Sequence, residues 1–292
     1  MSERFGVGLG ILSCCFGAGA AVATRYLVGS VDPVTVAAIR FGAGVLCLWP
    51  IVLFVKVRWP QRADWAAVAA LGLIFYAVFF ILYNLALLYT TVARGTLALS
   101  TLPLMTMVLA ALFGREALTL RKTIGVLVAT AGVTFALASN LAAAPIGAWR
   151  GDLLMTGATL CMALYSIWSR SFVNRSSALG FLIASMSVGG VALVFGSLVA
   201  SGGVPIEALG VKEWLAAIYL AAAGGALAFL LWIYALQYAS PTRVTNTMTV
   251  NPLVAGLAAA ILLGEPLTMG LVVGLVGVVI GIGIATTGEQ ET

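Results

Sequence analysis

Tyr76, Phe79, Phe80 and Tyr83 fall on one face of a single apolar segment, at the three- and four-residue spacing that brings helical side chains together. Rings in that register make and break no bonds. They surround and stack on an apolar solute, and the two phenols add hydrogen-bonding tips. Tyr165 and Trp168 stand one turn apart in a second segment, and Phe229 and Trp232 lie in a third. Ser100, Asn246 and Thr249 bring hydroxyl and amide groups to two more segments, with Thr96, Thr245 and Asn251 nearby. The set predicts a cavity for a solute with an apolar side chain and small polar ends. The competing reading of any one ring is a lipid-facing belt or plain packing. Tyr83, Trp168 and Trp232 stand out because each pairs a large ring with a polar tip.

Covalent chemistry finds no support in the chain. There is no histidine, which excludes His-based triads, histidine general bases and HExxH zinc sites. Cys14, Cys15, Cys47 and Cys161 all lie inside apolar segments and read as small apolar fillers, not as a disulfide framework. No cofactor-binding motif and no metal-ligand cluster occurs, so no cofactor is expected. Asp32, Asp64 and Asp152 sit at segment ends, and no acidic residue occupies a segment centre. That argues against an intramembrane aspartyl protease and against proton coupling through a buried acid. Arg40 is the deepest charge, about seven residues in; it reads as an interface anchor or helix-end partner, or as a group facing a carboxylate.

The elements that hold these residues are membrane spans. The chain has 292 residues, of which 62% are hydrophobic and 9% charged. A soluble domain has roughly 25% charged residues, so lipid is the solvent here. Ten stretches are long and apolar enough to cross: about 6–28, 34–55, 65–88, 95–114, 121–140, 151–170, 178–200, 213–236, 243–263 and 268–287. The first is expected to belong to the fold and not to be a cleaved signal peptide. The expected fold class is an all-α membrane protein of ten transmembrane helices. With the N-terminus inside, Arg4, Lys56, Arg58, Arg62, Arg115, Arg121, Lys122, Arg170, Arg175 and Arg243 face the cytoplasm, against Arg25, Arg94, Arg150 and Lys212 outside. That asymmetry orients both termini to the cytoplasm. The basic residues form no patch, so no nucleic-acid partner is expected. The expected partners are the lipid bilayer and a small solute, with the chain acting as a monomer.

The chain also repeats. Shifted by 149 residues, Trp65–Ala136 matches Trp214–Ala285 without gaps, with about 21 identities in about 72 positions. The scarce residue types coincide: Tyr89/Tyr238, Arg94/Arg243, Pro103/Pro252, Glu116/Glu265, Thr119/Thr268, Gly125/Gly274 and Gly132/Gly281. The expected units are 1–145 and 146–292, each of five spans. Five is odd, so the second unit enters the membrane inverted, an arrangement transporters use for alternating access. Pro103 and Pro252 each remove a helical hydrogen bond near mid-span and are candidate hinges. Glu116 and Glu265 sit at span junctions, where a carboxylate can bind a turn or a neighbouring helix end, or act in gating. The glycines of spans 5 and 10 read as a packing stripe. The solute path is therefore expected between spans 1, 3, 4, 6, 8 and 9, with 5 and 10 peripheral.

Two five-span halves, each with a Pro-containing span, a Glu-Pro/Ala-Leu-Thr turn and a Gly-spaced final span, resemble the drug/metabolite transporter superfamily, and its EamA-type branch most. The stretches that carry the resemblance are Pro103-Leu104, Gly114-Arg115-Glu116-Ala117-Leu118-Thr119, Asn251-Pro252-Leu253 and Gly264-Glu265-Pro266-Leu267-Thr268. Within the superfamily the chain is most similar to the YddG-type exporters. That resemblance implies a secondary transporter, not an enzyme, exporting aromatic and other neutral amino acids across a bacterial inner membrane. A carrier of sugar phosphates or drugs, or a scaffold subunit without transport, are the alternatives. Sugar phosphates would call for two or more cavity Lys or Arg, and only Arg40 is a candidate.

Overall fold

The computed structural model describes residues 3–114, 120–139, 146–203, 209–239, 241–265 and 267–286. Among these residues there is helix and no strand, arranged as ten rods. They are α1 (Glu3–Leu27), α2 (Pro33–Val52), α3 (Arg62–Tyr89), α4 (Val92–Leu112), α5 (Leu120–Ser139) and α6 (Ala148–Arg175). The rest are α7 (Ala178–Ser201), α8 (Val211–Tyr238), α9 (241–263) and α10 (Met269–Thr286). Seven are long and apolar enough to cross a membrane: α1–α4 and α7–α9. This is fewer than the ten the sequence predicts. In α5 and α10 the described apolar stretches are shorter, Thr123–Gly132 and Val272–Gly281. In α6, length is ample, but Arg150, Asp152, Thr156, Thr159, Ser166, Ser169 and Arg170 dilute the apolar character.

Local chemistry sets the helix ends. The Asp32 carboxylate accepts from the N–H groups of Val34 and Thr35 at 3.0 and 3.1 Å, with Pro33 in the first turn of α2 where its missing N–H costs nothing. Thr91 and Ser177 cap α4 and α7 in the same way. Gly264 closes α9 at φ +68°, a conformation that favours glycine. The hydroxyls inside α6 turn back on its own ladder: Thr159 Oγ1 donates to Met155 O and Ser166 Oγ to Met162 O, each at 2.8 Å.

The outer face of the bundle is apolar. Leu53, Phe54, Val199 and Ile261 are each more than 70% exposed, a pattern that only hydrocarbon solvent tolerates. Trp49, Trp59, Trp65, Trp149 and Trp214 are partly exposed near helix ends, where indole rings anchor at the lipid–water interface. The four cysteines are free thiols.

Packing is balanced between the halves. α1 lies against α8 and α9, while α6 lies against α3 and α4; α2 pairs with α7, and α5 with α10. The α5–α10 pair approaches closely through glycines. A Cβ on Gly132 would lie 2.9 Å from the Gly277 Cα, and one on Gly277 would lie 2.9 Å from the Gly132 Cα. Without side chains at these points, backbone meets backbone, the arrangement that dispersion favours in lipid. Replacing Gly132 by Leu should lower the thermal unfolding temperature of the purified protein. The cost is expected to be about 1–3 kcal/mol, the usual penalty for overpacking. Gly283→Ala, where nothing lies within 4 Å of the added carbon, should leave the melt unchanged. Equal melts for both variants would show that this approach carries no stability.

Candidate functional site

The centre of the bundle holds a cavity. Its wall includes Ser13, Cys14 and Gly17 of α1, Arg40 of α2, Phe75, Phe79, Phe80 and Tyr83 of α3, and Leu99 of α4. Met162 of α6, Ala228, Phe229 and Trp232 of α8, and Met248 and Asn251 of α9 complete it. These are the six helices that the sequence assigns to a solute path, with α2 added; α5 and α10 stay outside. The space open to the centre of a water molecule is about 40 Å³. That admits a few waters and no larger solute.

Irregular backbone surrounds it. Three of its helices carry π turns: Ile39–Ala43 in α2, Leu73–Phe79 in α3 and Leu220–Leu227 in α8. A π turn loosens the regular ladder and is common at functional sites. The helices that carry Pro103 and Pro252 are both broken beside wall residues of the cavity. α4 runs as Val92–Leu99 and restarts at Leu102–Leu112, with Pro103 in the first turn of the second piece. α9 passes through a 3₁₀ turn, Thr247–Val250, before Asn251–Leu263, with Pro252 likewise in its first turn. The prolines therefore do not sit in a kinked continuous helix. Each starts a new half-helix, where no N–H is needed. Hydroxyls cover carbonyls at the first break: Ser100 Oγ donates to Leu97 O at 2.6 Å, and Thr101 Oγ1 to Ala98 O at 2.7 Å.

Arg40 is the charge in this cavity. It is only 4% exposed, so it does not snorkel to the interface. Its Nε and Nη2 both donate to the carbonyl of Gly224, at 3.2 and 2.9 Å, inside the π stretch of α8. Its guanidinium carbon lies 4.6 Å from the Phe80 ring centroid, 5.4 Å from that of Phe41 and 5.7 Å from that of Phe229. Such stacking over ring faces partly replaces lost hydration. Among the described residues no carboxylate lies within ion-pair distance of it.

The structure thus brings Phe79, Phe80, Tyr83, Phe229 and Trp232 to the cavity wall. Tyr76 and Tyr165 lie beside it, fully buried, with their hydroxyls 3.2 Å apart. Phe75 stacks on Tyr165 at 4.2 Å and takes the wall position that α-helical spacing gives to Tyr76. The π stretch that contains both residues shifts the register of this face. Ser100 is used at the helix break, and Trp168 packs on Phe113 at 4.8 Å. Asn246 belongs to α9 but is not among the wall residues. The side chain of Thr249 and the whole of Glu116 lie outside the described residues. Arg40, Phe75, Ser13 and Cys14 join the site from the structure. Of these, only Arg40 carried a signal, as an ionisable residue inside a span.

Glu265 ties the ends of several helices together. Its Oε2 accepts from the Val92 N–H at 2.8 Å, at the start of α4. Its Oε1 lies 3.5 Å from Arg25 Nε, while Arg25 Nη1 donates to Leu87 O at 2.8 Å. Nearby, Arg94 forms a bidentate pair with Asp152, its Nη2 at 2.7 Å from Oδ2 and its Nε at 3.0 Å from Oδ1, joining α4 to α6.

Two stretches of the chain, residues 4–138 and 149–287, match the model of the EamA-like transporter family. Curated relatives share modest identity over most of their length. An uncharacterized transporter, YyaM, of Bacillus subtilis is 26% identical over 262 residues, covering 88% of this chain and 86% of that one. An uncharacterized transporter of Archaeoglobus fulgidus is 27% identical, over 89% and 91%. The uncharacterized inner membrane transporter YedA of Escherichia coli K12 is 28% identical, over 84% and 78%. A crystal structure 20% identical in sequence superposes with a TM-score of 0.74, covering 98% of this chain and 97% of that one; it shares the fold.

Glu265→Ala should destabilise the protein, because a buried helix-start N–H left without an acceptor costs about 1–3 kcal/mol. Glu265→Gln keeps an amide oxygen for Val92 and loses only the charge on Arg25, so its melt should fall between Ala and parent. A Gln variant as damaged as Ala would put the weight on the Arg25 ion pair instead.

Proposed function

The chain belongs to the EamA-like transporter family, and on that premise we propose that it exports small organic solutes, aromatic and other neutral amino acids above all, by alternating access. It is a multi-pass membrane transporter and not an enzyme. The observation that carries the substrate reading is the cavity wall: Phe79, Phe80, Tyr83, Phe229 and Trp232 surround one space with few polar groups. Stacking on such rings binds an apolar side chain weakly enough to release it. The wider resemblance to YddG-type exporters supports the same class.

In this reading ten helices cross a bacterial inner membrane with both termini in the cytoplasm. Units 1–145 and 146–292 are inverted repeats, and the matching contacts of α1 with α8 and α9, and of α6 with α3 and α4, support that relation. Pro103 and Pro252 start half-helices at the level of the cavity, where a bend opens one side as the other closes. Glu265, clasping Arg25 and Val92, holds the outer helix ends together in the contracted state. Among the described residues the cavity wall has no carboxylate, so the simplest mechanism is movement of solute down its own gradient.

Protein reconstituted in liposomes should carry phenylalanine and tryptophan faster than threonine. One lost ring contact of about 0.5–1.5 kcal/mol corresponds to a roughly two- to tenfold loss of affinity. Trp232→Ala and Tyr83→Ala should therefore slow the aromatic solutes by that factor and threonine less, in variants that purify as the parent does. Parental rates in both variants would remove the assigned cavity, and faster flux of a sugar phosphate would favour the alternative substrate class. Flux that stops without an imposed proton gradient would end the facilitator mechanism.

A further inference from the structure

Arg40 is a guanidinium inside the bundle with no counter-charge among the described residues. Two of its nitrogens share one carbonyl, Gly224 O, and its flat face lies on Phe80. Among the described residues nothing accepts a hydrogen bond from Nη1, and Arg40 lines the cavity. Taking a guanidinium out of water is costly unless an anion or a full set of acceptors meets it. Here the protein supplies one acceptor and aromatic faces, and leaves part of the fork to whatever enters the cavity.

Two further polar groups of the same wall are buried without partners. Trp232 Nε1 and Asn251 Oδ1 have no hydrogen-bond partner among the described residues, although Trp232 is 1% and Asn251 5% exposed. Such groups are normally satisfied. One is a donor and the other an acceptor. They belong to α8 and α9, while Arg40 belongs to α2. The same wall holds Phe79, Phe80, Tyr83 and Phe229.

We infer that Arg40 is the anchor for a carboxylate of the transported solute, that Trp232 Nε1–H donates to an acceptor on that solute, and that Asn251 Oδ1 accepts from a second, hydrogen-donating group on it. The site then takes compounds with one carboxylate, an apolar body and a further hydrogen-bonding group. A carboxylate fits the open edge of a guanidinium in plane, and its single charge balances that of Arg40. A phosphate monoester carries about −1.5 to −2 charges at neutral pH. One guanidinium leaves that excess buried. An amine without the carboxylate would place a second cation beside Arg40. This inference rests on the transport reading and narrows its substrates.

The test uses purified full-length protein in detergent and in liposomes with one ring series: phenylalanine, 3-phenylpropionate, phenylalaninamide, phenethylamine and phenyl phosphate. Ligand-induced thermal stabilisation gives affinity without requiring flux. Phenylalanine should bind at least tenfold more tightly than its amide, the amine or phenyl phosphate, with 3-phenylpropionate between. Arg40→Gln should abolish the preference for acid over amide, Arg40→Lys should keep part of it, and Asn251→Leu should bring phenylalanine down to the level of 3-phenylpropionate. The wild-type series decides the matter even if the Arg40 variants fail to purify. An amide binding within twofold of the acid, or a tighter phosphate ester, overturns the anchor. If flux persists in that case, the transport reading stands without it. Absence of both binding and flux across the whole series removes the anchor together with the amino-acid reading.

Discussion

Hydrocarbon cannot hydrogen-bond a peptide group, and the distribution of irregular backbone in this protein follows from that. A bare N–H or carbonyl facing lipid costs several kcal/mol, roughly. Departures from the regular α-helical ladder are therefore affordable only where protein or a polar cavity can meet them. Here they ring the cavity. The π turns of α2, α3 and α8 each supply cavity groups or the carbonyl that holds Arg40. The breaks of α4 and α9 fall beside Leu99, Met248 and Asn251 of the wall. By contrast α5, α7 and α10, which supply no wall residue, run as uninterrupted α-helices.

The same constraint explains how a charge survives mid-bundle. Arg40 lies in one π stretch and donates into another, where the loosened ladder frees a carbonyl to accept from a side chain. Close helix approach makes the contact possible: a Cβ added at Gly225 would collide with the Arg40 backbone carbonyl. Ring faces on the other side stand in for part of the lost hydration. The result is a polar centre made from one side chain, a few backbone groups and aromatic walls, with no carboxylate among the described residues.

Stability and motion are divided between different parts of the bundle. The α5–α10 pair meets through glycine backbones and takes no part in the cavity. Five of the seven helices around the cavity, α2, α3, α4, α8 and α9, are interrupted, and ion pairs near helix ends join them to the continuous α1 and α6: Arg25 with Glu265, Arg94 with Asp152, and Arg175 with Asp64. Under the proposed transport reading, the interrupted helices are the ones whose breaks would let the 40 Å³ cavity widen, while the continuous α5–α10 pair supports them.

Much of this was legible in the residues. Scarcity of charge fixed the solvent as lipid, because a chain so apolar cannot cover a water-facing surface. The 149-residue repeat of Pro, Glu, Arg and Gly fixed the doubled organisation, which the two family matches over residues 4–138 and 149–287 reproduce. The aromatic types at Phe79, Phe80, Tyr83, Phe229 and Trp232 marked a cavity wall because their spacing follows a helix period. Three things were decided only by tertiary structure. Phe75 takes the wall position that α spacing gives to Tyr76 because a π turn changes the rotation per residue, and no local pattern announces a π turn. Trp168 leaves the cavity for Phe113 because its neighbours are set by how α6 meets α4. Arg40 becomes the cavity cation because its acceptor, Gly224, lies 184 residues away, and a sequence shows which residues carry charge but not which distant carbonyl will be there to receive it.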